Sequence, residues 1–417
     1  MTQLTSDALA IGHALMRLDA AQSAIFERVR ALPSVEAVRL DAADGRVLAA
    51  DLIAPLDLPP FANSAVDGYA VRFEDLPKGA EARFEVTGRA AAGRALEGEA
   101  RPGAALRVFT GAPTPDGFDT VFMQEDVRAA DDGAVTLPHG LKRYANRRPA
   151  GEDVARGEVA LKAGTRLRPQ EIALAAALGV SALEVRARPR VGVFSTGDEL
   201  SHEGGPLRDG AIHDANRPAL LALVARAGAQ PIDLGALPDD PARIAPALAE
   251  AARRCDLMLT SGGVSMGEED HVRGAIESVG ALVFWRVGIK PGRPVAMGVV
   301  GGAPLMGLPG NPAAVFVTFF ALARPMIAAL AGETWRAPMP MRVASGFSYK
   351  KKEGRREFVR ASLEVERGAQ IARKFPGEGA GLITSLTRSD GFVVLPEDMT
   401  RLEEGETVDF TPYDMLF

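Results

Sequence analysis

The sequence predicts a multidomain α/β protein, with a doubly wound, mainly parallel sheet accompanied by an inserted β domain and a small C-terminal β domain. Three observations support this fold class. The 417 residues are too many for one compact core. From about residue 190, strand, loop and helix patterns alternate, which is typical of a parallel sheet covered by helices. Residues 70–150 and the chain after Trp335 instead contain short β-favouring runs separated by Gly, Pro and charged turns.

The first half of the chain is predicted to leave an N-terminal domain and return to it. Apolar residues near helical spacing predict a helix over 5–38, capped by Ser6 or Asp7. Pro55, Pro59 and Pro60 then favour an extended connector into the β domain. Beyond residue 150 a loop leads to a helix begun near Pro169, which is expected to rejoin the N-terminal helix. The predicted domains are residues 1–57 with 151–187 (N-terminal and linker), 58–150 (inserted β), 188–331 (α/β) and 332–417 (C-terminal β).

The α/β domain is predicted from repeated strand and helix patterns. Strands are expected at 191–195, 232–237, 256–260, 281–287 and 295–300. Asn216 is expected to cap a helix that Gly228 ends, and Asp240 with Pro241 to open a second helix. A third helix should follow Asp270, and a final helix should cover 313–330.

Composition excludes several classes of function. A formal charge of −6 argues against general nucleic-acid binding, because a phosphate backbone needs a basic face. The single cysteine, Cys255, excludes an internal disulfide and is interpreted as a core residue before a buried strand, not as a catalytic thiol. The five histidines lack the spacing of a zinc site.

The sequence predicts neither a signal peptide nor a membrane span. Charged residues interrupt the N-terminal apolar stretch, and Arg324 and Pro325 stop the longest apolar run, 313–323. We therefore expect a cytoplasmic protein that does not bind a membrane.

Five unusual loops follow the predicted strands and should share one edge of the sheet. They begin at Ser195 (STGDEL), Pro238 (PDD), Ser261 (SGGVSMGEED), Gly288 (GIKPGRP) and Leu308 (LPGNP). Ligands of open α/β sheets bind at this edge. In SGGVSMG, glycines can turn backbone N–H groups toward an anion, which predicts a phosphate site. Taken alone, the string fits a flexible connector equally well, and it is neither a dinucleotide fingerprint nor a Walker A sequence.

Charged residues at the same edge predict an anion and a cation together. Lys290 and Arg293 present two positive charges around a stiff turn. Six carboxylates crowd the edge, and Mg²⁺ would reconcile them with a phosphate. They are Asp198, Glu199, Asp214, Asp239, Asp240 and Asp270. Asp240 is also explained as a helix cap, and the same role is open to Asn311 in LPGNP.

Nine motifs in order along nearly the whole chain resemble the molybdopterin molybdenumtransferase family, the bacterial MoeA type that is also the C-terminal domain of gephyrin. They are SAVDGYA at Ser64, TGAPTP at Thr110, VFMQED at Val121, GEDV at Gly151, STGDEL, DDP at Asp239, SGGVSMGEED, IKPGRP and LPGNP. The resemblance implies four domains, the last a β barrel, and a homodimer with active sites across the subunit interface. It implies molybdenum insertion into adenylylated molybdopterin, with molybdate as the second substrate and Mg²⁺-dependent hydrolysis that gives AMP and molybdenum cofactor. It also implies transient contacts with an adenylyltransferase and with molybdoenzymes.

The resemblance implies roles for individual residues. Asp67, Glu199, Asp239 and Asp270 would be catalytic, and the last three would hold Mg²⁺. Substrate contacts would come from Thr110, Asp153, Thr196, Gly197, Ser261, Gly262, Gly263, Ser265, Arg286, Lys290, Arg293, Pro309, Asn311, Pro312, Arg355 and Ser385. The Ser261 loop would bind the pterin phosphate region; Lys290 and Arg293 would hold molybdate or phosphate, and Arg355 and Ser385 molybdate. Asp67, Thr110 and Asp153 would face the partner subunit's α/β domain. Arg286 departs from the lysine that the family often carries, so anion geometry there is open.

Three other functions fit the same residues, and one of them is a plain pterin carrier, which would take up adenylylated molybdopterin without releasing AMP. A paralogue specific for tungstate would need nearly the same site, since the two oxyanions share charge and shape. A gephyrin-like scaffold would not need the carboxylates at the sheet edge, which this sequence retains.

Overall fold

A six-stranded sheet lies at the centre of the computed structural model, which describes residues 15–94, 96–263, 271–285, 287–292 and 295–416. Its strands are β1 (Arg190–Thr196), β2 (Gln230–Leu237), β3 (Leu257–Ser261), β4 (Gly280–Trp285), β5 (Val295–Val300) and β6 (Ala303–Leu308). Their order is β2-β1-β3-β6-β5-β4. β2, β1, β3 and β6 are parallel, and β5 is antiparallel to both β6 and β4. β4 therefore runs with the parallel strands, and the loops after β1, β2, β3, β4 and β6 leave at one edge.

Helices cover both faces of this sheet, which confirms the doubly wound prediction. They are α1 (Asn216–Arg226), α2 (Pro241–Arg254), α3 (His271–Val279), α4 (Pro312–Thr318) and α5 (Arg324–Leu330), with a π-helical turn at Phe319–Ala323 between the last two. Side chains alternate along β3: Leu257 and Leu259 belong to the core under α1, α4 and α5, whereas Met258 belongs to the core under α2 and α3. As predicted, Asp240 caps α2 and accepts a hydrogen bond from the N–H of Ala242 at 2.9 Å.

The helical stretch Pro312–Leu330 is apolar on all sides. Its 19 residues have a mean hydropathy of 1.9, so by length and composition it could cross a membrane. However, 89% of that stretch is buried inside the protein. It is therefore the core helix on which the N-terminal helix and the C-terminal region pack.

The N-terminal segment corrects one prediction. The described helix covers Leu18–Arg28, and the chain then forms a strand, Val35–Arg39, in part of the span predicted to be helical. Pro33 explains the break, because it lacks an N–H donor and disfavours helix in the preceding residue. The cap predicted at Ser6 or Asp7 lies outside the described residues.

The inserted β sheet is bracketed by three antiparallel pairs of short strands. Val35–Arg39 pairs with Ala182–Arg186, Leu52–Ile53 with Val159–Leu161, and Asn63–Ser64 with Arg147–Arg148. The helix predicted near Pro169 is Pro169–Ala177, and the chain rejoins the N-terminal segment through strand pairing. Between the strands of the innermost pair lies the seven-stranded sheet. Its strands are Gly68–Val71, Ala82–Ala90, Glu97–Gly98, Ala104–Val108, Thr120–Met123, Arg128–Ala129 and Ala134–Leu137.

The C-terminal region is a closed barrel. Its five strands are Met341–Ser345, Arg356–Glu366, Ala369–Lys374, Gly391–Leu395 and Thr407–Pro412. The ring closes because Arg356–Glu366 pairs with both Ala369–Lys374 and Gly391–Leu395. Ile289–Lys290, from the loop after β4, adds to the barrel strand Arg356–Glu366 in parallel. The predicted small barrel is confirmed, and this pairing ties it to the α/β edge. The short strands Tyr349–Lys350 and Arg401–Leu402 pair separately, and a one-turn helix covers Thr384–Thr387.

Candidate functional site

The carboxyl edge of the sheet contains a small cavity, named here the sheet-edge cavity. Its volume is about 100 Å³ and its lining includes Ser195, Thr196, Glu199, Asn216, Ser261, Gly262, Gly310 and Pro312. These residues come from the ends of β1, β3 and β6 and the start of α1. The topology thus brings together loops that are more than a hundred residues apart in the chain.

Hydroxyl groups at this cavity lack partners within the described chain. The Ser195 and Thr196 side-chain oxygens are buried with no hydrogen-bond partner among the described residues. Buried polar groups are normally paired, so two unpaired donors beside a cavity favour a polar or anionic ligand. Gly262 has φ +85°, and a Cβ there would lie 3.1 Å from the Thr196 carbonyl oxygen, so glycine permits the close approach of β1 and β3.

Carboxylates stand beside the same cavity. Glu199 is exposed and lines it. The next loop is close by, because Asp239 donates its backbone N–H to the Asp198 carboxylate at 3.4 Å. Among the described residues no three His, Cys, Asp or Glu side chains are grouped tightly enough to hold a metal by themselves. Mg²⁺ usually takes only one or two carboxylates and completes its shell with water and substrate phosphate, so Glu199, which lines the cavity, could serve as one such ligand.

Two of the six edge carboxylates have structural roles. Asp214 is buried and pairs with the buried Arg217 at 3.3 Å, and Arg217 also donates to Asp233 at 2.5 Å. Burial opposes the charge of Arg217, but these hydrogen bonds outweigh it and raise the pKa of the guanidinium. Asp240 caps α2, as described above.

Asn216 corrects a prediction, because its side chain does not cap α1. The N-cap position belongs to Ala215, and Asn216 lies in the first turn. Its side-chain nitrogen instead donates to Ser261 Oγ at 2.8 Å and to the Gly310 carbonyl oxygen at 2.6 Å. Asn216 thus joins the loop after β3 to the loop after β6.

A second cavity, named here the barrel cavity, lies where the loop after β4 meets the barrel. Its volume is about 260 Å³. Its lining includes Lys290, Pro291, Tyr349, Glu357, Arg360, Lys374, Glu378 and Ala380. The two cavities adjoin the same helix start: Pro312 lines the sheet-edge cavity, and the next residue, Ala313, donates its N–H to the carbonyl oxygen of Ala380 at 3.0 Å.

Among the described residues that line the barrel cavity, one cation has no carboxylate partner. Lys290 pairs with Glu357 at 3.0 Å, and Lys374 pairs with Glu378 at 3.2 Å. Arg360 is buried and, within the described chain, donates only to backbone carbonyl oxygens, at 3.2–3.3 Å. Burial lowers the pKa of Arg360, whereas for Lys290 the hydrogen bonds to Glu357 and Tyr349 outweigh burial and raise the pKa. A cavity with excess positive charge suits an oxyanion.

The inserted sheet presents a separate polar group on its surface. Asp67 accepts hydrogen bonds from the N–H and the hydroxyl of Thr110, both at 2.8 Å. These bonds lower the pKa of the carboxyl, the backbone bond most, and Arg107 adds to the effect. Asp153 is exposed and donates its N–H to Leu58 at 2.9 Å. Asp67, Thr110 and Asp153 are not among the residues that line the two cavities of the described chain.

Several predicted residues lie elsewhere. Ser385 is buried, and its hydroxyl donates to the Leu382 carbonyl oxygen at 2.5 Å. Asn311 occupies the N-cap position of α4, with no side-chain capping bond. Arg355 is not among the residues lining the barrel cavity, whereas Arg360, five residues on, is. Ser265, Asp270, Arg286 and Arg293 lie outside the described residues. The sequence analysis did not find Arg360. Which residues of a barrel strand face the cavity depends on how that strand pairs with its neighbours, and this pairing cannot be read from the local sequence.

Family models match three consecutive parts of the chain. Residues 16–179 match the MoeA N-terminal region (domain I and II), residues 192–329 a probable molybdopterin binding domain, and residues 342–413 the MoeA C-terminal region (domain IV). Together with the fold, these matches define a multidomain protein of the molybdopterin-binding α/β class.

Individual relatives agree over nearly the full length. The chain is 38% identical over 404 residues to a Haemophilus influenzae protein named molybdopterin molybdenumtransferase, covering 96% of this chain and 100% of that one. A Bacillus subtilis protein of the same name is 33% identical over 381 residues, covering 89% and 88%. A crystal structure of a molybdopterin biosynthesis MoeA protein from Pyrococcus horikoshii matches with a TM-score of 0.81 and 32% identity, covering 96% of this chain and 100% of that one. The chain belongs to the molybdopterin molybdenumtransferase family, a family of transferases, which confirms the resemblance inferred from sequence.

Proposed function

We propose that this protein inserts molybdenum from molybdate into adenylylated molybdopterin and hydrolyses the adenylate in a Mg²⁺-dependent step, releasing molybdenum cofactor and AMP. The observation that carries the proposal is the sheet-edge cavity, whose lining includes Glu199 and two residues, Ser195 and Thr196, with buried hydroxyls that have no partner in the described chain. The substrate carries its negative charge on the pyrophosphate that must also be hydrolysed, and the sheet-edge cavity is lined by hydroxyl-bearing residues and by the carboxylate of Glu199.

The anionic end of the pterin would bind in the sheet-edge cavity. Ser195, Thr196 and Ser261 offer hydroxyls there, and Gly262 keeps backbone close to the ligand. Such a set holds phosphate by hydrogen bonds without a fixed positive charge. This arrangement agrees with the net negative charge of the chain, because a few local hydrogen-bond donors would bind the anion and no large basic surface is needed.

The acids beside the cavity would hold Mg²⁺ and handle the hydrolysis. Glu199 and Asp239 lie on adjoining loops, and Asp270, outside the described residues, completes the set in our proposal. When bound, Mg²⁺ neutralises charge that develops on the phosphate during hydrolysis. Glu199 and Asp239 would hold that ion, and a carboxylate oxygen that does not bind it would accept a proton from water.

Molybdate would enter through the barrel cavity. Lys290 and Arg360 approach the space from the α/β edge and from the barrel, and Arg360 brings the positive charge that no carboxylate balances in the described chain. A tetrahedral dianion would satisfy both cations. The hydrogen bond from Ala313 to Ala380 supports this proposal, because it joins a residue of the barrel cavity to the helix start beside the sheet-edge cavity.

A homodimer would complete the site. Asp67 and Thr110 lie next to strands of the inserted sheet, and Asp153 lies in the segment that follows it. None of the three lines either cavity of the described chain, which is the arrangement expected if they serve the active site of a second copy. Mixing an Asp67→Asn chain with a Glu199→Gln chain would then restore part of the activity, because one of the two sites would be intact.

The proposal is tested by AMP release from adenylylated molybdopterin in the presence of molybdate and Mg²⁺. We expect Glu199→Gln and Asp270→Asn to lose turnover while keeping the fold. Asp209→Asn is the matched control, since this exposed acid lies in the same domain and does not line the cavity. Normal AMP release by both site variants would refute the assigned roles, and substrate consumption without AMP release would make the protein a carrier.

A further inference from the structure

The side chain of Asn216 makes two hydrogen bonds that its local sequence does not explain. Its nitrogen reaches Ser261 Oγ at 2.8 Å and the Gly310 carbonyl oxygen at 2.6 Å, although these residues are 45 and 94 positions away. Both partners line the sheet-edge cavity, as does Asn216 itself. The amide therefore connects the two loops between which a ligand would sit.

The direction of these hydrogen bonds follows from the partners. A backbone carbonyl oxygen can only accept, so the group of Asn216 that faces Gly310 must be the NH₂. The same nitrogen then has one further hydrogen, which points to Ser261 Oγ. The hydroxyl of Ser261 is thereby used as an acceptor by Asn216, and its own proton remains to be donated.

Among the described residues, that proton has only a weak acceptor. The Pro309 carbonyl oxygen lies 3.4 Å from Ser261 Oγ, which is long for an O–H···O bond. An anionic oxygen in the cavity would be a stronger acceptor, and hydrogen bonds to charged groups are worth more than neutral ones. Asn216 thus leaves Ser261 poised as a donor toward an anion.

We propose that Asn216 is a positioning residue of this enzyme: it fixes Ser261 as a hydrogen-bond donor to the anionic group of the substrate and holds the Gly310 loop against it. The inference rests on the proposed function for the nature of the ligand. Asn216 itself need not touch the substrate, because both of its donors are committed to the protein.

Substitutions that remove or invert this hydrogen bond have different expected effects. Asn216→Ala frees Ser261 to donate in any direction, and we expect about a tenfold weaker affinity for inorganic phosphate and a similar rise in KM, with kcat changed little. Asn216→Asp is expected to be worse, because a carboxylate accepts from Ser261, repels the Gly310 carbonyl and adds negative charge. Its defect should shrink as the pH falls, since the protonated carboxyl again has a donor. Recovery at low pH would show that this position needs a donor, and the double variant with Ser261→Ala shows whether that donor acts through Ser261.

The experiment measures phosphate binding by calorimetry and AMP-release kinetics for wild type, Asn216→Ala, Ser261→Ala and the double variant. If Asn216 acts through Ser261, its substitution costs much less in the Ser261→Ala background. Asn146→Ala is the matched control, since it also loses an amide-to-carbonyl bond, to Val121 at 3.0 Å, far along the chain from either cavity loop. We expect it to bind phosphate like wild type.

The outcomes separate the two proposals. Full additivity of Asn216→Ala and Ser261→Ala, or an Asn216→Ala enzyme with normal KM and phosphate affinity, would overturn the role of Asn216 while leaving the transferase function standing. A wild-type protein that neither binds phosphate nor releases AMP would overturn the proposed function and this inference with it. Where Asn216→Ala fails to fold, Asn216→Asp measured across pH decides, because pH-independent loss contradicts the donor role.

Discussion

Replacing Lys290 with Met tests whether the ammonium group of Lys290, one of the cations that line the barrel cavity, also stabilises the fold. Lys290 Nζ lies 3.0 Å from the carboxylate of Glu357, whose side chain is only 2% exposed. The second Glu357 oxygen is buried and has no partner in the described chain. Removing the ammonium therefore leaves a buried carboxylate with one remaining donor, the Tyr349 hydroxyl at 3.0 Å.

The expected loss of stability follows from the exposure of the two partners. Breaking a fully buried ion pair by removing one member costs about 3–5 kcal/mol. The Lys290 side chain is 46% exposed, so water can approach after its removal, and Tyr349 still donates. Solvent screening reduces the expected cost to about 1–3 kcal/mol. Adding Glu357→Gln should recover most of it, because a neutral amide is far less costly to bury without a cation.

Urea unfolding followed by tryptophan fluorescence measures these differences for the two single variants and the double variant. Since the folded pKa of Lys290 stands above its ordinary value of 10.5, its stabilising effect is complete at neutral pH and is lost only as the pH rises through the folded pKa. The difference between wild type and Lys290→Met should therefore be constant near pH 7–9 and shrink at higher pH. A Lys290→Met protein as stable as wild type, or no recovery on adding Glu357→Gln, would refute this reasoning.

Three further predictions concern other parts of the molecule. Thr110→Val removes the hydroxyl but keeps the backbone N–H, so the pKa of Asp67 should rise part of the way to its ordinary value; an NMR titration that shows no change would contradict the hydrogen-bond assignment. Burial raises the pKa of the Cys255 thiol, so a thiol reagent should label it only in the unfolded protein, and rapid labelling of the native state at pH 8 would be inconsistent with its packing. Gly262→Ala forces a side chain into φ +85° against a carbonyl oxygen of β1 at 3.1 Å, and urea unfolding should show a free energy of unfolding lower by about 1–3 kcal/mol. The loss should exceed that of Gly204→Ala, where φ is +79° in open space; equal losses would show that the close contact is unimportant.

The α/β architecture could be predicted from the sequence because its signals are local. Buried strands, capped helix starts and terminating glycines each occupy a few residues, and topology rules then place the loops at one edge. That reasoning brought Thr196, Glu199, Ser261 and Pro312 to one cavity, as the structure confirms for these residues. The domain boundaries and the catalytic roles stay predictions.

The features that could not be predicted depend on partners far along the chain. Val35–Arg39 looked like the end of a helix, since its strand partner lies at Ala182–Arg186. Asn216 looked like a helix cap because polar residues favour helix starts, and its actual partners come from two other loops. Arg360 faces the barrel cavity through the register of a closed barrel, which no local pattern encodes.

The strand pairs at the two ends of the inserted sheet determine whether this segment could be removed or replaced without disturbing the rest of the protein. Ser64 pairs with Arg147 across an antiparallel ladder, so the two ends of the excursion lie about 5 Å apart. A two-residue turn could join them, and the excised segment would have adjacent ends of its own. The inserted sheet is therefore connected to the rest of the chain only at two adjacent points. Replacing it with another sheet should leave both cavities of the described chain intact.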